Sequence, residues 1–158
     1  MMKTNFKSAL LPYLHGVDDG WHAAVPKRVL VVEDDPPSQE YVETVLYNAG
    51  HSAKTVPNGF EALEVVKKQP FDVVLMDVKM RGMSGIEATK AIRNLEKSGG
   101  LAQVNGCRKL WIIAYTASAM LGDKERFLAS GMDDYLAKPL RKNEILAALD
   151  RASSKTTG

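Results

Sequence analysis

The chain contains a single cysteine, Cys107. That excludes a disulfide framework within the chain and suits a reducing compartment. No apolar stretch is long enough to span a bilayer. The nearest approach to a signal core, Ser8 to Leu14, is short and interrupted by Pro12. These absences lead us to expect a cytoplasmic protein with no membrane span. Charge of one sign is lacking too: 21 Lys and Arg stand against 19 Asp and Glu, a net charge of +2. Bulk electrostatics therefore call for neither nucleic acid nor an anionic membrane, and with no helix-turn-helix candidate direct DNA binding is not expected. No repeat or low-complexity block is visible. What remains is 158 residues, 45% hydrophobic and 25% charged, enough for one domain with a real core and short tails.

Between the tails, strand and helix patterns alternate. Arg28 to Val32 is a β-branched run followed by Glu33, Asp34, Asp35 and Pro36. Asp35 can cap the next helix, and Pro36 can occupy its first turn, where a missing N–H costs nothing. Tyr41, Val42, Val45 and Leu46 fall at helical spacing, and the helix should stop near Asn48-Ala49-Gly50. His51 to Val56 reads as a strand, and Asn58 can cap a helix bearing Ala62, Leu63, Val65 and Val66. Val73 to Met76 is a continuous apolar run, as expected of a strand buried on both faces of a parallel sheet. Ser84 or Gly85 opens a helix through Ile92 and Leu95, and Ser98 to Lys109 reads as a long polar loop. Leu110 to Tyr115 is another buried strand, followed by a helix over roughly Leu121 to Ser130, a strand Tyr135 to Ala137 and a final helix starting near Asn143. Five βα units with right-handed crossovers make a parallel sheet between two helical layers. Residues 1–26 read as a tail or linker, with a short amphipathic piece around Phe6, Leu10, Tyr13 and Leu14, and 153–158 as a disordered end.

In such a sheet, ligands bind beyond the carboxyl ends of the strands. The first strand delivers Glu33 and Asp34 there, the third Asp77, the fourth Thr116 and the fifth Lys138. Three carboxylates together repel one another unless a cation neutralises them. An all-oxygen cluster favours Mg²⁺, which keeps several waters and accepts phosphate oxygens. Lys138 supplies an ammonium and Thr116 a hydroxyl, an inventory suited to phosphoryl transfer onto a carboxylate.

Four motifs in order carry a family resemblance: Val31-Val32-Glu33-Asp34-Asp35-Pro36, Val73-Val74-Leu75-Met76-Asp77, Ile112-Ile113-Ala114-Tyr115-Thr116-Ala117, and Tyr135-Leu136-Ala137-Lys138-Pro139. Over about Lys27 to Ala152 the chain resembles the receiver domain of two-component response regulators. The resemblance implies a flavodoxin-like (βα)5 fold with strand order 2-1-3-4-5. It implies a phosphorelay switch, not a turnover enzyme, in which Asp77 accepts phosphate from a phosphohistidine on a histidine kinase or phosphotransfer protein. It further implies Mg²⁺ held by Asp34 and Asp77, with Glu33 nearby and the backbone carbonyl of Lys79 as a further ligand. Lys138 would pair with the phosphoryl group, Thr116 would hydrogen-bond it, and Tyr135 would be the switch aromatic. A downstream protein target would use the helix–strand–helix face around Leu121 to Leu149, with a phosphorylation-linked homodimer as a further option.

Some residues depart from the pattern. Arg81 stands where a proline is usual, which should loosen the loop, and Lys79 adds a second cation. The long loop at Ser98 to Lys109 resembles that of hybrid-kinase receivers, so the expectation is a receiver without its own output domain, stand-alone or belonging to a hybrid kinase. Two other readings remain at this stage. One is a receiver-like module that is never phosphorylated. The other is a Mg²⁺-dependent aspartyl-phosphate phosphohydrolase, which needs an Asp where Lys79 stands.

Overall fold

Five short strands form one parallel sheet: β1 (Arg28–Val32), β2 (Ser52–Val56), β3 (Val73–Asp77), β4 (Trp111–Thr116) and β5 (Asp134–Ala137), in the order β2-β1-β3-β4-β5. This is a computed structural model, and it describes residues 25–106, 108–117 and 120–156. Most of the expected N-terminal tail, including its amphipathic piece, lies outside the described residues. Among the described residues six helices cover the sheet: α1 (Pro36–Asn48), α2 (Gly59–Val66), α3 (Gly85–Lys97), α4 (Ala102–Asn105), α5 (Asp123–Ala129) and α6 (Lys142–Thr156).

Successive side chains on a strand point to opposite faces, so each aliphatic run divides itself between two cores. Leu30, Val32, Val74, Met76, Ile112 and Ala114 pack with Ala62 and Val66 of α2, Ile92 of α3 and Phe127 of α5. Val29, Val31, Val73, Leu75, Ile113 and Tyr115 pack on the other face with Val42, Val45 and Leu46 of α1 and Ile145 and Leu149 of α6. Every residue of β3 is buried, as its unbroken apolar run requires. Each fully buried Leu or Ile contributes about 1.5–3 kcal/mol through removal from water, so the two faces together hold the layers.

The helices begin where polar side chains can satisfy their free N–H groups. Asp35 accepts from Ser38 N at 3.1 Å ahead of α1, and Asn58 from Glu61 N at 2.9 Å ahead of α2. Ser84 and Glu87 form a reciprocal capping box at α3, with Glu87 N donating to Ser84 Oγ at 3.2 Å and Ser84 N to Glu87 Oε2 at 3.0 Å. At the edge opposite the strand carboxyl ends, Arg93 ties α3 to the turn before β5. Its guanidinium donates to Asp133 Oδ2 at 2.7 Å, Gly131 O at 2.9 Å and Leu110 O at 2.8 Å.

Three elements differ from the sequence expectation. The polar loop after α3 contains α4, held because Leu101 is buried and Asn105 accepts a hydrogen bond from Phe71 N at 3.2 Å. The helix expected from Leu121 begins at Asp123, after Gly122 in the left-handed region (φ 91°). Finally, α6 continues to Thr156, past the Ser153 at which a disordered end was expected. Buried Ala152 anchors the preceding turn, and extending an existing helix adds one bond per residue without a new nucleus. Among the described residues no helix is long and apolar enough to cross a membrane.

Candidate functional site

The parallel register lines up the strand ends. Val32 pairs with Met76, Asp77 with Tyr115, and Thr116 with Ala137, so the residues just beyond these positions share one edge. Glu33 N donates to Val56 O at 3.0 Å, extending the β1–β2 ladder by one residue and fixing the Glu33 backbone in the sheet. Its side chain is turned inward and only 1% exposed, whereas the neighbouring Asp34 is exposed. Gln39 of α1 donates its side-chain amide to the Glu33 carbonyl, and Asp35 N donates to Glu33 Oε1 at 3.3 Å.

Asp77 ends β3 and is 3% exposed. The chain folds back over it at once: Val78 N donates to Tyr115 O at 3.2 Å, and Gly85 N to Val78 O at 3.0 Å. Gly85 is required by that return, since a Cβ there would lie 2.1 Å from the Asp77 carbonyl oxygen. Lys138, carried past β5 and followed by a cis Lys138–Pro139 bond, reaches Asp77 Oδ2 at 3.3 Å and Glu33 Oε2 at 3.4 Å. Burial pushes the Asp77 carboxyl up to about 7, with Glu33 adding to the rise and Lys138 opposing it. One ammonium does not offset two buried carboxylates.

One carboxylate oxygen each of Glu33, Asp34 and Asp77 lies within 4.8 Å of the others, a group able to hold a metal ion. Carboxylate oxygens, one of them on an exposed residue that leaves water access, suit a hard divalent cation with retained waters. Lys79 N donates to Asp77 Oδ1 at 3.3 Å, and the Lys79 and Arg81 side chains are exposed. Thr116 is buried at the end of β4, its carbonyl accepting from Lys138 N at 2.8 Å. Tyr135 lies half-buried beside β4, packed against the α2–α3 core, with Lys124 Nζ 6.0 Å from its ring centroid. All five residues expected at the strand ends thus sit on one edge, with Lys138 bridging Asp77 and Glu33 directly.

Two residues of this edge escaped the sequence reading. Gly85 was seen as a helix start but not as the close approach that seats Asp77. Tyr115 was read as one more strand residue, yet its hydroxyl donates to Glu33 Oε2 at 2.8 Å, across β3. Burial pushes its phenol pKa upward, and the Glu33 carboxylate pushes it further. Its signal in the sequence is a phenol directly after the aliphatic residues Ile112, Ile113 and Ala114. Beside the carboxylates, a cleft of about 630 Å³ opens between α1 and the connection after β5, lined by Tyr41, Val42, Tyr115, Ala117, Pro139 and Leu140 among others.

Comparison with known proteins agrees with this geometry. The family model described as "Response regulator receiver domain" matches residues 29–150. The chain belongs to the response regulator receiver family. Among relatives of this receiver, the sensor histidine kinase GacS of Pseudomonas protegens is 42% identical over 118 residues. That match takes in 75% of this chain and 12% of the kinase, so the chain spans about an eighth of the relative's length. Among solved structures, the receiver domain of the sensor histidine kinase PA1611 from Pseudomonas aeruginosa was crystallised with a magnesium ion coordinated in its active-site cleft. It is 33% identical with a TM-score of 0.68, covering 83% of this chain and all (100%) of that one. The receiver domain of Ssk1 from Saccharomyces cerevisiae, crystallised with the histidine phosphotransfer protein Ypd1, is 34% identical with a TM-score of 0.67. That match covers 84% of this chain and 87% of the other. The chain is thus a receiver of the two-component phosphorelay type, with the five-stranded doubly wound fold.

Proposed function

We propose that this receiver accepts a phosphoryl group on Asp77 from a phosphohistidine donor, in a Mg²⁺-dependent reaction, and switches conformation to regulate a protein partner. The observation that carries the reading is the convergence of Asp77, Glu33 and Lys138 within 3.4 Å at one strand edge. In the transfer, an Asp77 carboxylate oxygen attacks phosphorus, the phosphorus–nitrogen bond of the donor breaks, and the imidazole departs and takes up a proton. Asp34 and Asp77, with Glu33 and the Lys79 carbonyl, would hold the Mg²⁺. When bound, the ion would neutralise charge on the phosphoryl oxygens and on the crowded carboxylates. Lys138 exchanges its contact with Asp77 Oδ2 for one with the phosphoryl group, and Thr116 closes on it as a hydroxyl donor. Thr116 and Tyr135 lie on adjacent strands, so movement of one frees space for the other, the kind of packed two-state element that phosphorylation biases.

The cleft beside α1 is open to a donor, and the Ssk1–Ypd1 complex supports a phosphotransfer protein or histidine kinase in that role. The downstream target would engage the face of α5, β5 and α6, in the cytoplasm. A switch, not a hydrolase, fits Lys79, which stands where a second acid would be needed. Incubation with a phosphorylated histidine phosphotransfer domain and Mg²⁺ tests the reading. Label should move to the wild type and not to Asp77→Asn; equal labelling of both would place the acceptor elsewhere.

A further inference from the structure

Tyr115 is set apart from its strand by what it reaches. It is 1% exposed and packs on the α1–α6 face, while the next residue, Thr116, turns to the other side. Strands β4 and β1 are separated by β3, roughly 10 Å apart at two strand spacings. An aliphatic residue at position 115 could not bridge that distance to Glu33; the phenol does, ending 2.8 Å from Oε2. The hydroxyl has one proton to give. A buried hydroxyl needing only an acceptor already has Val32 O at 3.1 Å, so the closer carboxylate contact is not demanded by burial alone. The ring also lies under Lys138, whose Nζ is 5.0 Å from its centroid.

Glu33 Oε2 therefore has two donors of unequal quality. The Tyr115 hydroxyl stands at 2.8 Å, whereas Lys138 stands at 3.4 Å and is shared with Asp77 at 3.3 Å. We infer that Tyr115 is a positioning residue for the acidic pair, holding the Glu33 carboxylate inward through Oε2 so that it serves the divalent-cation site. The inference rests on Glu33, Asp34 and Asp77 being that cation site. Partners that orient metal-binding carboxylates typically change metal affinity about 10–100-fold when removed. The lower figure applies here, since Glu33 keeps its contact with Asp35 N.

The test is titration of the isotope-labelled protein with MgCl₂ alone, followed by backbone amide shifts, for the wild type, Tyr115→Phe, Glu33→Gln and the double variant. Phe keeps the ring that fills the α1 face. Should it not fold, Tyr115→Leu fills the site with an aliphatic side chain like those of Ile112 and Ile113 in the same strand. Tyr115→Phe should weaken Mg²⁺ binding about tenfold, and in the Glu33→Gln background the same change should have less than about a twofold effect, the mark of action through Glu33. An unchanged Mg²⁺ affinity with only a lower melting temperature would reduce Tyr115 to a packing residue and overturn the inference. So would an undiminished loss in the Glu33→Gln background. If the wild type shows no Mg²⁺ response at all, the cation-site reading fails and takes this inference with it. That result is distinct from a wild-type response which Tyr115→Phe leaves intact.

Discussion

At the scale of single residues, the site holds negative charge at a cost to stability. The Asp77 carboxyl is raised from 3.8 to about 7 by burial and by Glu33. Between those values the folded protein retains a proton that the unfolded chain has lost, so stability is fully present below about pH 4 and declines as the pH rises through about 7. Asp77→Asn removes the penalty. In Mg²⁺-free buffer at pH 8 the variant should be more stable than the wild type by about 1–3 kcal/mol, less than the full linkage value because Asp34 and Lys138 leave the site open to water. The gain should shrink toward zero near pH 4, as urea denaturation at several pH values will show. A gain independent of pH would mean that charge is not its source. The carboxylates, Thr116 and Lys138 were legible in the sequence because each stands at or just beyond the carboxyl end of an expected strand. Tyr115 was not, because its partner lies 82 positions away and is reached only across an intervening strand.

At the scale of elements, short polar signals placed the helix starts well. Asp35, Asn58 and Ser84 all cap as their residue types predict. Less legible was structure fixed by tertiary contacts. The four residues of α4 carry no periodicity, and their order comes from Leu101 and the bond between Phe71 and Asn105. The last turn of α6 is likewise built from weak helix formers that extend a packed helix. The tightest local constraint is at the start of α3, where the backbone passes over the end of β3. Gly85→Ala places a methyl group 2.1 Å from the Asp77 carbonyl oxygen and 3.0 Å from Met76 Cγ. Backbone must move to admit it, so a loss of about 2–3 kcal/mol is expected in the urea midpoint, together with slower phosphorylation as Asp77 shifts. A variant with unchanged stability and rate would show that the turn over Asp77 yields freely.

At the scale of the molecule, the architecture separates the packed layers from the strand-end cluster. The two apolar faces of the sheet and the Arg93 ties lie away from the strand carboxyl edge, where Glu33, Asp77 and Lys138 gather. The alternation of strand and helix foretold the layers. The strand order came only from resemblance, since periodicity does not say which strands are neighbours, and the observed β2-β1-β3-β4-β5 order agrees with it. A sheet anchored on both faces can carry a crowded, unfavourable cluster at one end, and under the proposed function release of that crowding by a cation and a phosphoryl group would drive the switch. The most direct measurement is intact mass after incubation with acetyl phosphate, with and without Mg²⁺, for the wild type and Asp77→Asn. A Mg²⁺-dependent gain of one phosphoryl group in the wild type, absent from Asp77→Asn, is expected. A gain that persists in Asp77→Asn, or that does not depend on Mg²⁺, would contradict Asp77 as the metal-assisted phosphoacceptor.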